Sequence, residues 1–195
     1  LIVCSDNGPE MGAGVAGPFR GFKTQLYEGG VRSSLIAWGP GMVKAKKRFN
    51  RESVFSAIDL VPTLLDITGA PHAKNFKYDG ESLPDVLLGK SNASRKSPIF
   101  FSRPPDRDAY YGDNDLPDLA LRDGKWKFLC EYDGSEPELY NMTKDRGEKN
   151  NVAAGYPELV ARFAKACIAW HDSLPPDNGP NLNGKFRRNP SKKLK

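Results

Sequence analysis

The sequence is poor in cysteine and histidine and has no long apolar run. Its 195 residues include three cysteines and two histidines. Three cysteines form no recognisable disulfide framework, and no apolar run is long enough to cross a bilayer. His72 and His171 stand in no pattern to which we assign a role. These shortages argue against a disulfide-stapled scaffold and against a membrane span in this segment.

The body of the chain also lacks an excess of charge of either sign. The net charge is +5 and the pI is near 9.1, but residues 175–195 hold six basic residues and one acid. The remaining 174 residues therefore carry 23 basic and 23 acidic side chains. A Pro/Asn/Gly/Lys tail of this kind is expected to be flexible and could touch a polyanion. The distribution argues against a nucleic-acid-binding protein.

The first residues are the most informative part of what the chain does contain. Residues 1–4 are apolar (LIVC) and are followed directly by Ser5-Asp6-Asn7-Gly8. This pattern predicts a buried strand that ends in turn chemistry. In open α/β sheets, ligands bind at the carboxyl ends of strands. Asp6 and Asn7 would place a carboxylate and an amide oxygen there, which are donors that suit a hard cation.

A glycine-rich loop with a lysine follows this strand end. Residues 8–30 hold seven glycines, and residues 20–32 read RGFKTQLYEGGVR, with Lys23 in the loop. Glycine allows backbone to approach a ligand closely, and a lysine offers a compact positive charge to an anion. Metal ligands beside an anion-binding cation favour chemistry on a sulfate or phosphate ester.

These motifs resemble those of the type I sulfatases, the formylglycine-dependent enzymes of the alkaline phosphatase superfamily. In that family a strand ends in Asp-Asn-Gly, and an Arg-Gly-x-Lys-x-x-x-x-Glu-Gly-Gly-Val-Arg segment follows. The resemblance implies that Asp6 and Asn7 bind a divalent cation, usually Ca²⁺ with Mg²⁺ possible, and that Lys23 contacts the sulfate during catalysis. It also implies a scaffolding role in the loop for three charged residues: Arg20, Glu28 and Arg32.

The family's nucleophile motif is absent from this chain. The resemblance implies a formylglycine made from the cysteine of Cys-x-Pro-Ser-Arg, but none of Cys4, Cys130 and Cys167 stands in that motif. We therefore expect a C-terminal fragment, inactive alone, with formylglycine and the remaining metal ligands upstream. The family also implies export to the periplasm, a lysosome or the cell exterior.

The expected fold is the C-terminal part of an alkaline-phosphatase-like α/β sandwich, with a small antiparallel-sheet subdomain and a packed C-terminal helix. We assign residues 1–70 to the end of the catalytic domain, 71–97 to a crossing segment, 98–174 to the subdomain and 175–195 to the tail. Periodicity and end signals predict helices over 60–68, capped by Asp59, and over 157–174. A hairpin with an Asp123-Gly124 turn is predicted within the subdomain.

The segment 102–112 is the candidate for substrate recognition. It is rich in Arg and Tyr, and Arg103 and Arg107 could bind carboxylate or sulfate groups of a sulfated small molecule or polysaccharide. A surface loop with its own salt bridges explains the same pattern equally well.

Two other functions remain open on the sequence. One is a phosphodiesterase, phosphonate hydrolase or phosphatase of the same superfamily, since a fold does not determine the chemistry. The other is a non-catalytic polyanion-binding module that uses the basic tail. The Lys23 segment favours sulfate ester hydrolysis over both.

Overall fold

The computed structural model describes residues 1–43, 49–103 and 116–175. The chain divides into two compact units. The first combines Leu1–Ser5 with Ser34–Ile99, and the second combines Asp6–Ser33 with the chain from Phe100 onward. The boundaries that we assigned from the sequence at residues 70 and 98 stay a prediction. No helix in the described ranges is long and apolar enough to cross a membrane.

A two-stranded antiparallel sheet begins the first unit. Strand β1 (Ile2–Cys4) pairs with β2 (Leu35–Ala37), with Val3 opposite Ile36. Val3 is 49% and Ile36 60% exposed, so the expectation of a buried strand over residues 1–5 is wrong. The apolar pattern predicted the strand correctly, but a two-stranded sheet gives each strand one neighbour and leaves its faces dependent on other elements for cover.

The first helix along the chain, α1 (Glu28–Val31), has four residues and belongs to the second unit. The helix expected over residues 60–68 is present in the first unit as α2 (Leu60–Thr68). It ends at Gly69, whose φ of +69° is the left-handed conformation that glycine adopts readily at helix ends. Asp59 does not cap α2 with its side chain. It instead forms a capping box with Ser56 around the short 3-10 turn Ala57–Asp59. A one-turn helix, α3 (Pro84–Leu87), lies farther along the chain.

The main sheet has four strands in the order β3-β4-β5-β6. Their bounds are Ile99–Ser102, Leu119–Asp123, Trp126–Cys130 and Glu138–Asn141. β4 pairs antiparallel with β5, and β5 pairs antiparallel with β6. Asp123 lies opposite Trp126, so the hairpin loop consists of Gly124 and Lys125, one residue later than predicted. Gly124 has a φ of +49°, which this tight loop needs.

The long helix α4 (Pro157–Ser173) packs on one face of this sheet, as predicted from its single apolar stripe. Phe163 and Cys167 of the helix meet Leu121, Phe128 and Cys130 of the strands. Cys130 and Cys167 are buried free thiols, whereas Cys4 is exposed. This cluster forms the principal apolar core of the second unit.

The residues next to α1 pack into a second apolar cluster on the sheet. Leu26 and Tyr27 meet Ala120, Leu129 and Tyr140 there. Successive side chains of a strand point to opposite faces, and Leu119, Leu121, Phe128 and Cys130 belong to the helix side. The glycine-rich loop therefore covers the face that α4 leaves, and Arg122 and Lys127 share that face with Ala120 and Leu129.

Candidate active site

The two sequence motifs of the N-terminal region meet through their glycines. The Gly8 amide donates a hydrogen bond of 2.8 Å to the Gly30 carbonyl oxygen. A Cβ atom on Gly8 would lie 1.7 Å from the Gly29 carbonyl oxygen, so no larger residue fits. Asp6 is exposed and Asn7 half-buried directly before this contact. The Asp-Asn-Gly turn and the Glu-Gly-Gly-Val-Arg segment thus form one backbone assembly.

The loop that contains Lys23 spans residues 20–29 and is called the Lys23 loop below. It is closed at its base and leaves the lysine accessible. The Gly29 amide donates to the Arg20 carbonyl at 2.7 Å, and the Lys23 amide donates to the Pro9 carbonyl at 2.9 Å. The Lys23 side chain is 47% exposed, and its Nζ lies 3.3 Å from Glu10 Oε2. Exposed pairs of this kind contribute about 0–1 kcal/mol. Lys23 therefore offers a cation that an anionic ligand can reach.

Arg20 ties the loop to the main sheet. Its guanidinium lies 3.8 Å from the centroid of the Tyr27 ring. Its Nη1 lies 3.3 Å from Glu138 Oε2 and 3.0 Å from the Tyr140 hydroxyl. Tyr27 donates a hydrogen bond of 2.8 Å to Glu138 Oε1. Burial, reinforced by Glu138, raises the pKa of Tyr27 and Tyr140, which keeps both hydroxyls protonated as donors.

Glu28 lies at the centre of a buried group of charges. Its carboxylate lies 3.3 Å from Arg32 Nη1, 3.7 Å from Arg122 Nε and 3.6 Å from Lys127 Nζ. Burial alone would raise the pKa of Glu28, but Lys127, Arg122 and Arg32 outweigh it and hold the pKa below its ordinary value. Glu28 is therefore a buried carboxylate, ionised at neutral pH, at the base of the Lys23 loop.

Glu148 completes this group from a loop after the sheet. It is 1% exposed, and its Oε2 accepts a hydrogen bond of 2.8 Å from the Glu28 amide. Burial raises the pKa of Glu148 to about 7, although Lys127 and the Glu28 amide oppose the shift. Lys127 is fully buried, which lowers its pKa, while Glu28 and Glu148 act in the opposite direction.

The sequence reasoning placed Arg20, Glu28 and Arg32 in the loop scaffold but missed Arg122, Lys127 and Glu148. A signal was available for two of these. β4 and β5 carry apolar residues on both sides of the strand, which is typical of a strand buried on both faces. A charge in such a strand needs a buried partner of opposite sign. No local pattern indicated that the partner would be Glu28.

The substrate-recognition candidates occupy the start of the segment after β3. Arg103 is largely buried, and its Nη2 lies 3.5 Å from Asp118 Oδ1. Tyr132 donates a hydrogen bond of 2.8 Å to the Arg103 carbonyl. Arg107 lies outside the described residues. The ion pair of Arg103 with Asp118 is the kind of contact expected for a surface loop with its own salt bridges, which was the alternative to substrate recognition.

The donor set at Asp6 and Asn7 fits a hard cation in kind but not in number. A carboxylate and an amide oxygen are suitable ligands, whereas a Ca²⁺ site takes about six to eight oxygens. Among the residues that the structure describes, no group of three or more His, Cys, Asp or Glu side chains could hold a metal ion. These two residues could thus provide part of a metal site.

Comparisons with known proteins agree with these motifs. A family model named Sulfatase matches residues 1–70. Arylsulfatase K of Mus musculus is 35% identical over 144 residues, which cover 71% of this chain and 25% of the relative. An N-acetylgalactosamine-6-O-sulfatase of Bacteroides thetaiotaomicron is 29% identical over 193 residues, which cover 85% of this chain and 35% of the relative.

The fold is also similar to that of solved structures. The crystal structure of Ps i-CgsB in complex with k-i-k-neocarrahexaose superposes with a TM-score of 0.72 at 28% identity. The match covers 90% of this chain and 37% of that one. The chain spans a quarter to about a third of the length of the two curated relatives above. The resemblance and the fold class expected from the sequence are confirmed, and the chain belongs to the sulfatase family of the alkaline phosphatase superfamily.

Proposed function

We propose that the protein containing this chain is a sulfuric ester hydrolase and that the Lys23 loop faces the sulfate in its active site. The contact between Gly8 and Gly30 carries the proposal, because it joins the two motifs while the side chain of Lys23 stays accessible. The named relatives, an arylsulfatase and a sugar sulfatase, support the same reaction class.

Lys23 is proposed to contact the sulfate group of the substrate. Its ammonium would stabilise the negative charge that develops on the sulfate and leaving-group oxygens in the transition state. The bound substrate would take the place of Glu10, which faces the lysine at 3.3 Å. Arg20, Glu28 and Arg32 would maintain the shape of the loop, in keeping with their contacts to the sheet and to one another.

Asp6 and Asn7 are proposed as two ligands of a divalent cation, Ca²⁺ or Mg²⁺. Such an ion would polarise the sulfate and add to the charge that Lys23 supplies. The further ligands would come from residues other than those that the structure describes, because the described residues gather no larger cluster.

The nucleophile is proposed to lie outside these 195 residues, as a formylglycine. The three cysteines are followed by Ser-Asp, Glu-Tyr and Ile-Ala, so none stands in the Cys-x-Pro-Ser-Arg motif. The isolated chain should therefore show no turnover of an aryl sulfate. Location outside the cytoplasm stays a prediction from the family resemblance.

The substrate class that we favour is a sulfated carbohydrate. The bacterial relative is named for a 6-O-sulfated amino sugar, and the similar crystal structure holds a neocarrahexaose. Arg103 and Arg107 are proposed to contact such a substrate. If neither Arg103→Ala nor Arg107→Ala changes KM on a sulfated saccharide, this assignment is wrong.

The test is a parallel assay of the complete gene product on 4-nitrophenyl sulfate, 4-nitrophenyl phosphate, a phosphodiester and a phosphonate ester. We expect the highest kcat/KM on the sulfate. A preference for any phosphorus ester would replace the proposal with the related superfamily activity. Retention on a heparin column with no turnover of any ester would indicate a polyanion-binding module.

A further inference from the structure

We propose that Lys127 and Glu148 are positioning residues for the reaction: they hold the base of the Lys23 loop through Glu28, on which the loop closes. This inference rests on the proposed function of Lys23 and names the part of the fold that would set the lysine's position. Neither residue reaches the sulfate in this role. Both would act on catalysis only through the backbone and carboxylate of Glu28.

The first observation is a pair of like charges on adjacent strands. Arg122 and Lys127 lie directly opposite each other in the β4–β5 ladder. Like charges in opposite positions destabilise a sheet, and Lys127 has no exposed surface that would allow its charge to be hydrated. Such a pair is tolerated where an anion lies between the two cations. The sheet therefore presents a receptor for one carboxylate.

Glu28 is that carboxylate, and both its side chain and its backbone amide are held in place. Its Oε1 lies 3.7 Å from Arg122 and 3.6 Å from Lys127. Its backbone amide donates to Glu148 Oε2 at 2.8 Å. Side chain and backbone are thus held by different residues of the sheet and of the loop that follows it. A buried network of this kind permits few alternative positions.

The position of Glu28 determines the position of the Lys23 loop, because short backbone contacts connect the two. Gly29, the next residue, donates to the Arg20 carbonyl and closes the loop that contains Lys23. Gly30 accepts from Gly8, the residue after Asn7. A displacement of Glu28 would therefore move both the proposed sulfate contact and the proposed metal ligand. Displacements of about 1 Å can cost about 100-fold in rate.

A double-mutant cycle on 4-nitrophenyl sulfate turnover by the full-length protein tests the inference. Lys127→Met removes the buried charge at similar length. We expect kcat to fall at least tenfold with KM changed less than threefold, because a contact made in the transition state is lost. In a Lys23→Ala background the same substitution should lower kcat by at most about threefold, because the lysine that it positions is gone and only the indirect effect through Asn7 remains. Lys165→Met, on the exposed side of α4, is the matched control.

The cycle separates this inference from the proposed function. If Lys23→Ala retains most of the activity, the proposed role of Lys23 fails and the inference with it. If Lys23→Ala is impaired but Lys127→Met lowers kcat by the same factor in both backgrounds, the inference alone is wrong. Rates are normalised to the folded fraction from thermal unfolding, so that loss of folded protein is not read as loss of catalysis.

A second variant decides the question if Lys127→Met does not fold. Glu148→Gln keeps shape and acceptor but removes the negative charge. The charged groups that act on Glu148 are Lys127, Glu28, Arg20 and Arg122, and the protonated hydroxyl of Tyr27 is also within electrostatic reach. An ionised acceptor makes the stronger hydrogen bond to the Glu28 amide. The ratio of wild-type to variant kcat/KM should therefore rise at least threefold from pH 5.5 to pH 8.5. A ratio independent of pH would overturn the inference, and the exposed Glu158→Gln should give such a flat ratio.

Discussion

The Gly8 amide and the Gly30 carbonyl oxygen lie 2.8 Å apart, in a hydrogen bond that joins the Asp-Asn-Gly turn to the Glu-Gly-Gly-Val-Arg segment. The contact is possible because both residues lack a Cβ atom. A Cβ on Gly30 would lie 2.1 Å from the Gln25 carbonyl oxygen, and one on Gly8 would be closer still to Gly29. The glycines of both motifs are thus explained by backbone contact within the chain.

Gly8→Ala should destabilise the protein and lower its activity. The added methyl group would overlap the Gly29 carbonyl at 1.7 Å, and backbone cannot move aside as a flexible side chain can. We expect a loss of about 3 kcal/mol and at least a tenfold fall in kcat/KM on an aryl sulfate. Thermal unfolding and steady-state kinetics measure the two effects. Gly155→Ala is the control, since a Cβ there meets nothing within 4 Å; equal effects of the two substitutions would contradict the steric explanation.

Lys23→Ala should lower kcat by orders of magnitude and leave the fold intact. The side chain is half exposed and its contact is an exposed pair with Glu10, so its removal costs little stability. Thermal unfolding of the full-length variant should match wild type within a few degrees. Lys74→Ala, at another exposed lysine, should leave kcat unchanged. A loss of kcat below about tenfold, equal to about 1.4 kcal/mol, would refute the role of Lys23.

Glu10→Gln should lower KM for sulfate esters. Glu10 Oε2 lies 3.3 Å from Lys23 Nζ and competes for the charge that the substrate is proposed to occupy. Because such exposed pairs contribute about 0–1 kcal/mol, we expect a decrease in KM of up to about fivefold at low ionic strength, shrinking as salt is added. Kinetics at two salt concentrations measure it. An increase in KM would show that Glu10 assists binding.

The local motifs could be predicted from the sequence because they depend on neighbours in the chain. α2 ends at Gly69, where the apolar pattern stops and glycine permits a positive φ. α4 packs with Phe163 and Cys167 as its single stripe indicates. The hairpin loop lies one residue later than predicted because Asp123 pairs with Trp126 in the ladder. Turn composition alone does not distinguish neighbouring registers.

The buried charges could not be predicted because they depend on residues distant in the chain. Glu28 and Arg32 are one helical turn apart, so their ion pair was foreseeable. The contacts of Glu28 with Lys127 and Glu148 require knowing which face of the sheet the loop covers. Exposure of β1 could not be inferred either, since its apolar residues favour burial and the outcome depends on whether other elements cover the faces of the two-stranded sheet.

Asp59→Ala should destabilise the first unit strongly. Asp59 has no exposed surface, and its carboxylate accepts hydrogen bonds of 2.8 Å from the Ser56 and Glu81 amides. It also lies 3.3 Å from Arg95, whose side chain is almost fully buried. Removing one partner of a buried pair costs about 3–5 kcal/mol, measurable by urea unfolding. The exposed Asp85→Ala should cost less than about 1 kcal/mol, and a similar cost for both would contradict the buried-pair account.

Glu148→Gln should remove a pH dependence of stability. The pKa of Glu148 is raised from 4.5 to about 7 in the folded protein. Below pH 4.5 the carboxyl is protonated in both states. As the pH rises toward 7 the unfolded chain releases the proton first, so stability is lost over this window, by up to about 3 kcal/mol. Above pH 7 both states are ionised and the loss is complete. The Tm of Glu148→Gln relative to wild type should therefore rise by several degrees from pH 4.5 to pH 8.

Glu158→Gln is the control, because Glu158 is exposed at the start of α4. Its Tm relative to wild type should stay constant over the same pH range. A constant Tm difference for Glu148→Gln would mean that the folded protein does not raise the pKa of this carboxyl.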